Sequence, residues 1–261
     1  MSNVLDWAAQ LLASRQQHER LHANPQSGPP HAEAAYAVQE AVWSELAGAH
    51  RPTTRPTAWK VGASSRDSLP LAAPVLPQHL VLGAAQIDQS SFFTLGVEAE
   101  IAFRFGTDLP ARDTSYSISE IRAAIESAHV AMELVDTRLA DAEAAGPFWR
   151  LADNLLNGAL VIGEPIADWS ALEAQGWPAL TARVFADETL LAETVGRPPL
   201  DDLFHCLPWW SAHIGGVKSG DIVTTGAWNG MHALSLPANV RVEFSGPALG
   251  MAKCNAQAGV G

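Results

Sequence analysis

The sequence predicts an α+β fold, with a smaller helical and α/β N-terminal part followed by a larger β-rich part. Apolar residues recur at helical spacing only near the start of the chain, and from about Leu80 onward short apolar runs alternate with Gly, Pro and Asp. Of the 261 residues, 48% are hydrophobic and 17% charged, which suits a packed core and excludes a disordered chain. The parts divide as residues 1–75 and 76–261. The boundary is soft between Gly62 and Leu80, where Ser, Pro and Gly accumulate.

Taken in order, Leu5 to Gln17 reads as a helix because Leu5, Ala8, Ala9, Leu11 and Leu12 form one apolar face. Asn, Ser, Gly and Pro make Ala23 to Pro30 a loop. His31 to Leu46 is a second helix through Ala35, Val38, Ala41, Val42 and Leu46. Arg51 to Pro56 breaks the chain, and Ala58 to Gly62 is a short strand. Further strands are expected at Gly96 to Phe105, Val130 to Thr137, Gly158 to Ile162, Leu180 to Ala186, Leu190 to Val195, Asp221 to Thr224 and Val240 to Phe244. Ser119 to Ala128 is a helix, with Ser117 and Glu120 spaced as a capping box. Pro199 to His213 is a further helix. No repeat, heptad array or low-complexity tract is visible.

Sixteen basic residues against twenty-eight acidic ones give a net charge of -12, and no Lys/Arg cluster appears. A nucleic-acid partner needs a basic footprint, so that class is excluded. An anionic small substrate stays open, since a few local cations can oppose the global sign. Two distant cysteines, Cys206 and Cys254, favour a reduced cytoplasmic setting over a disulfide framework. The N-terminus lacks a signal-peptide pattern and no apolar run is long enough for a membrane span, so a soluble, untargeted protein is expected. Nine histidines occur without a His-Glu-x-x-His pattern, and there is no Gly-x-Ser-x-Gly elbow, phosphate loop or dinucleotide fingerprint. His129, four residues before Glu133, reads equally as a structural histidine.

The acids of two apolar runs carry the chemistry. Glu98 and Glu100 lie in Gly96-Val-Glu-Ala-Glu-Ile-Ala-Phe103, and Glu133 lies among Met132, Leu134 and Val135. Strand alternation puts Glu98 and Glu100 on one side. Spacing alone also fits two acids on the wet face of an amphipathic strand. The apolar neighbours pull the other way, because buried carboxylates need compensation. A divalent cation with oxygen preference is the economical compensation.

These runs, with Trp59-Lys-Val-Gly62, Ala131-Met-Glu-Leu-Val-Asp-Thr-Arg138, Leu151-Ala-Asp-Asn154 and Gly220-Asp-Ile-Val-Thr-Thr-Gly226, resemble the 2-keto-4-pentenoate hydratase and 4-oxalocrotonate decarboxylase branch of the fumarylacetoacetate hydrolase superfamily. The resemblance covers Ala35 to about Gly250. It implies a mixed β-roll with a smaller α/β N-terminal part, and dimers or larger homo-oligomers. Glu98, Glu100 and Glu133 match the family's ligands for Mg²⁺, or alternatively Mn²⁺. Lys60 matches an active-site lysine, Asp153 with Asn154 a pair beside the pocket, and Thr225 a position near the substrate carboxylate.

The resemblance implies a metal-dependent hydratase that adds water to a 2-hydroxy-2,4-dienoate and yields a 4-hydroxy-2-oxo acid in bacterial-type aromatic breakdown. A 2-oxo acid decarboxylase is the close alternative. A C–C hydrolase, oxaloacetate decarboxylase or isomerase, and a non-catalytic partner of a pathway enzyme, are further ones. A 2-oxo acid chelates a divalent cation through a carboxylate and its keto oxygen, which suits three ligands with open positions. Lys60 is the proton-transfer candidate. By residue type alone it is equally a strand-end lysine paired with an acid, and Asp153 a turn cap. Burial and the cation would lower the pKa of Lys60, while three acids would oppose that. The chain departs from the hydratase pattern at Leu155-Leu-Asn157 and at Glu193 to Leu200. Ala140 to Trp149 looks like an insertion whose Phe148 and Trp149 rim the pocket.

Overall fold

The computed structural model describes residues 2–48, 55–170, 177–247 and 249–259. The expected break at Arg51 to Pro56 falls outside the described residues over 51–54. Two helices open the chain, α1 (Ser2–Gln17) and α2 (Ala32–Ala47). Strands β1 (Ala58–Gly62), β2 (Leu71–Pro74), β3 (Leu80–Leu82), β4 (Ala85–Ile87), β5 (Gly96–Phe105) and β6 (Leu109–Pro110) follow. Then come α3 (Ile118–Ala124), β7 (Ile125–Val135), α4 (Pro147–Ala152), β8 (Asn157–Pro165), β9 (Thr181–Ala186) and β10 (Thr189–Val195). The chain closes with α5 (Leu207–His213), β11 (Gly216–Val217), β12 (Ile222–Thr224), β13 (His232–Ala233), β14 (Ala238–Gly246) and β15 (Gly250–Ala258).

The larger sheet runs β2-β1-β12-β5-β7-β8-β3, with β13 also on β5, and the smaller runs β10-β9-β14-β15-β4. The main core lies between them: Val97, Ile101, Phe103, Val130, Met132 and Leu134 from one side meet Val184, Val242, Phe244 and Cys254 from the other. Gly163 lets β15 cross close to β8, since a Cβ there would stand 2.6 Å from the Lys253 carbonyl oxygen. β1 and β2 precede the expected domain boundary in sequence, yet both belong to the larger sheet.

A second core holds the helices. Leu11 of α1 and Val38 and Val42 of α2 pack with Leu139, Leu151 and Trp149. Trp149 is buried and donates from its indole N–H to the Asn24 carbonyl at 3.0 Å, and Phe148 packs on the same cluster. Ala140 to Trp149 therefore seals α1 and α2 against the sheet; Trp149 is a core residue and not a pocket rim. This is a correction of the sequence expectation. Its reason is that an aromatic side chain in a surface-looking insertion had a helix pair to cover.

Two further differences have local causes. The capping box forms: Ser117 Oγ accepts from the Glu120 amide and Glu120 returns a bond to the Ser117 amide. The helix nevertheless ends at Ala124, because residues from Ile125 onward pair with β5, Phe103 facing Ala128. Sheet pairing overrides the helical spacing. The helix expected over Pro199 to His213 is split, since Leu200 and Asp201 take φ of 55° and 57°, and only Leu207–His213 is α-helical.

Candidate metal centre

On β5 the residues Val97, Ala99, Ile101, Phe103 and Phe105 enter the main core, so Glu98 and Glu100 face the opposite side of the sheet. The antiparallel register then sets Glu98 directly across from Glu133 of β7, and Glu100 across from Ala131. Facing residues of such a pair share one face with close Cβ atoms. One carboxylate oxygen from each of Glu98, Glu100 and Glu133 lies within 4.8 Å of the others. Glu100 and Glu133 are each 1% exposed, so these are not wet-face charges. Glu98 is half-buried.

Lys60 arrives from β1. Its parallel partner is Thr224 of β12, which pairs in turn with Ala102 of β5, so Lys60 stands on the acidic face one row beyond Glu100. Lys60 Nζ donates to Glu133 Oε1 at 2.6 Å and to the Leu155 carbonyl at 3.1 Å. Asn157 Nδ2 donates to the same Glu133 oxygen at 3.0 Å. Glu133 Oε2 is buried without a hydrogen-bond partner. Glu100 Oε2 accepts from the Gly226 amide at 3.1 Å, and Gly226 has a φ of 101°, which only glycine adopts without strain.

Crowding sets the electrostatics. Burial, then Glu133, push Glu98 up to about 7 against the opposing pull of Lys60. Burial, then Glu133 and Glu98, hold Glu100 well above the usual carboxylate range. Burial alone would lower Lys60, but attraction to Glu133, Glu98 and Glu100 outweighs it and raises the ammonium. In the metal-free protein the carboxylates thus win the contest set out from the sequence. Three carboxylates, one ammonium and one dication sum to zero, and the unpartnered Glu133 oxygen supplies a free donor. The all-oxygen set fits a hard divalent cation such as Mg²⁺.

Asn154, Leu155 and Leu156 adopt φ of 57°, 51° and 64°, three successive left-handed non-glycine residues. Each costs on the order of 1 kcal/mol or more, so the surroundings must impose them. Asn154 Nδ2 is tied to the Pro74 carbonyl at 2.9 Å, and the Leu156 amide to the Asp153 carbonyl at 3.0 Å. What the turn delivers is the Leu155 carbonyl on Lys60. Asp153 begins it without touching Lys60: Oδ2 accepts from Thr137 Oγ1 and the Arg138 amide, both at 3.0 Å, and Oδ1 from Arg138 Nε at 2.5 Å. Its position is that of a buried clamp beside the triad.

Thr225 donates from Oγ1 to the Ile101 carbonyl at 3.0 Å, fastening the Thr-Gly step to β5. His129 shares β7 with Glu133, but its ring bonds Ser127 and the Gly163 carbonyl and is outside the triad. The structure thus gathers Glu98, Glu100, Glu133 and Lys60, and leaves Asp153 and Thr225 one contact away. Sequence reading missed Asn157, the Leu155 carbonyl, and Thr224, buried on the Lys60 row beside Glu100. Asn157 had a signal in its place directly after the Asp-Asn-Leu-Leu run. A backbone carbonyl has none.

Residues 65–256 match the family described as fumarylacetoacetate (FAA) hydrolase C-terminal, and the chain belongs to that family. No curated protein sequence matches the chain. Among solved structures, 4-oxalocrotonate decarboxylase from Pseudomonas putida G7 superposes with a TM-score of 0.79 in its complex with magnesium and adipate. In the complex with calcium and acetate the score is 0.78. In both, 98% of this chain and 97% of that one are covered at 18% identity. The 2-hydroxyhepta-2,4-diene-1,7-dioate isomerase from Mycobacterium marinum gives 0.54 at 13% identity, over 78% of this chain and 75% of that one. These likenesses bear out the fold expected from the sequence. Among the described residues no helix is long and apolar enough to cross a membrane.

Proposed function

We propose that the chain is a Mg²⁺-dependent lyase of 2-oxo acids, with Glu98, Glu100 and Glu133 as metal ligands and Lys60 as the proton-transferring group. The observation that carries this reading is the convergence of the three carboxylates, two of them buried, with Lys60 on one face of β5, β7 and β1. Bound there, the cation would orient a 2-oxo acid and stabilise negative charge developing on its keto oxygen. The chain's own work is then positional and protonic. The Leu155 carbonyl and Glu133 take two of the three Lys60 donors and fix where the third points. Gly226 and Asn157 hold Glu100 and Glu133 in place. Asp153 and Thr225 act as positioning residues, through the left-handed turn and the Thr-Gly step.

Two reactions suit this arrangement. Hydration of a 2-hydroxy-2,4-dienoate, the reaction implied by the sequence resemblance, asks for a group that activates water as well as one that moves a proton along the carbon chain. Decarboxylation asks only for charge stabilisation at the keto oxygen and one proton returned to carbon. Lys60 is the one titratable group outside the ligand set that bonds the triad among the described residues, which favours decarboxylation. The likeness to a decarboxylase along nearly the whole of both chains supports that second reading. Assembly as a homo-oligomer, with or without a pathway-enzyme partner, belongs to the same proposal.

Incubation with 2-hydroxydienoates, 2-oxo dicarboxylates and acylpyruvates, with Mg²⁺, with Mn²⁺ or with chelator, separates the outcomes by product mass. Water gain marks a hydratase, carbon dioxide loss a decarboxylase, and two acid fragments a hydrolase. Lys60→Ala is expected to cut turnover by about a hundredfold or more while Mg²⁺ affinity, read by calorimetry, stays within a few fold. Unchanged turnover would remove Lys60 from the chemistry. No turnover of any substrate, with tight association to a partner enzyme, would replace the lyase reading by the structural one.

A further inference from the structure

We propose that a cavity of about 250 Å³ between the end of α1, the segment before β3 and the start of β8 is a carboxylate-binding site whose principal donor is Arg15. Its walls include Arg15, His18, His79, Phe92, Arg138 and Asn157. The volume is below that of a nucleotide-sized pocket and suits a short acid or one end of a longer one.

The two guanidinium groups differ in what they have left to give. Arg138 is committed: Nε donates to Asp153 Oδ1 at 2.5 Å, Nη2 to the Asp153 carbonyl at 2.8 Å, and Nη1 to Asp136 Oδ2 and the Asn157 carbonyl, both at 3.3 Å. The acids around it are committed as well. Asp136 Oδ1 accepts from the Phe93 and Thr94 amides, and Asp153 Oδ2 from Thr137 and Arg138. Arg15 Nη1, by contrast, is buried with no hydrogen-bond partner. The carboxylate oxygen that approaches it, Asp153 Oδ1, stands 3.7 Å away, beyond hydrogen-bonding distance.

A buried guanidinium donor without an acceptor is costly, and a planar fork of N–H groups matches a carboxylate better than any other common anion of this size. Burial, then Arg138, lower Arg15 to about 9 against the opposing pull of Asp153 and Asp136. His79 is pushed down to about 4 by burial and then by Arg15, so at neutral pH its ring is uncharged and leaves the attraction of an anion to the guanidinium groups. His18 stacks on Phe93 at 4.5 Å between centroids, and both rings line the cavity.

The cavity shares a wall with the metal centre, since Asn157 lines it and also donates to Glu133 Oε1. The carboxylate therefore has two sources. It is the distal end of a 2-oxo dicarboxylic acid, an option that rests on the lyase reading, or it is a separate small carboxylic acid. Both use the same Arg15 chemistry.

Propionate titrated into chelator-treated, metal-free protein tests the site without involving the triad. Saturable thermal stabilisation is expected, with a shift of the Arg15 Nε–H resonance. Arg15→Met should weaken propionate at least about tenfold and Arg15→Lys less. In Mg²⁺-loaded protein, 2-oxoadipate binding at least about tenfold tighter than 2-oxopentanoate, with the difference erased by Arg15→Met, assigns the site to the substrate's distal end. Equal binding of the two 2-oxo acids, with propionate bound alongside, assigns it to a separate acid. No propionate binding to the wild type, or affinity unaltered in Arg15→Met, overturns the proposal. Should Arg15→Met not fold, an Arg15 resonance that propionate leaves unmoved in the wild type overturns it equally. Failure of the lyase reading shows separately, as absence of Mg²⁺-dependent 2-oxopentanoate binding while the propionate result stands.

Discussion

Glu100→Gln is expected to stabilise the metal-free protein and to abolish most of the stabilisation that Mg²⁺ confers. In the metal-free state Glu100 is buried beside Glu98 and Glu133, and both burial and those neighbours disfavour its charge. Glutamine removes the charge and keeps an oxygen for the Gly226 amide. A gain of about 1 to 2 kcal/mol in chelator is expected at pH 8. Wild-type protein should gain about 2.7 kcal/mol at a hundredfold excess of Mg²⁺ over its dissociation constant, and the variant only a fraction of that. Turnover should fall by about a hundredfold or more, ligand loss being at least as damaging as loss of a ligand's support. Denaturant unfolding in chelator and in Mg²⁺ reads both signs. A variant that is weaker in chelator and as responsive to Mg²⁺ as wild type would show that Glu100 is a structural acid.

The same cluster sets a pH slope. Glu98 rises from 4.5 to about 7 in the folded protein, mainly by burial and secondly through Glu133. Between those values the folded state binds more protons than the unfolded one through this group, so its contribution to metal-free stability is fully present below 4.5 and is lost as pH rises through about 7. With Mg²⁺ the slope should reverse over that window, because cation binding favours the ionised carboxylates. Parallel slopes with and without Mg²⁺ would argue against a metal at this triad.

Much of this centre was legible because it lies in strands whose pattern is local. Alternation in Gly96 to Phe105 gave both the strand and the common side of Glu98 and Glu100. The register that brings Glu133 opposite Glu98 is a long-range property and came only with the structure. Other elements were hidden by composition. β15 alternates buried Ala252, Cys254, Ala256 and Ala258 with exposed Met251, Lys253, Asn255 and Gln257, but alanine is a poor strand former and its run carries no strand signal. Short edge strands such as β3 and β4 are each held by a single distant neighbour, β8 and β15, which a window of sequence cannot register. The left-handed run at Asn154 to Leu156 has no glycine to announce it, so the carbonyl it places on Lys60 was invisible. Asp153 was visible as a candidate, but its partner was not.

Asp153→Ala is expected to cost about 3 to 5 kcal/mol of folding stability, the usual consequence of removing one partner from a buried ion pair. Its side chain is fully buried and accepts from Thr137, from the Arg138 amide and from Arg138 Nε. Without it Arg138 keeps Asp136 as its one acid among the described residues, and Arg15 loses the carboxylate that approaches it at 3.7 Å. A fall in melting temperature of about 10 °C or more should follow for a chain of this size. Asp153→Asn should recover little, because an amide nitrogen turned toward Arg138 Nε opposes one donor to another. Arg138→Ala and Asp153→Ala together should cost clearly less than the sum of the two, since each removes the other's reason for being buried. The effect on chemistry should travel through the turn: folded Asp153→Ala protein should retain Mg²⁺ affinity while turnover drops, because the Leu155 carbonyl no longer holds Lys60. Wild-type stability with turnover abolished would be the opposite result, and would place Asp153 among the groups that meet the substrate.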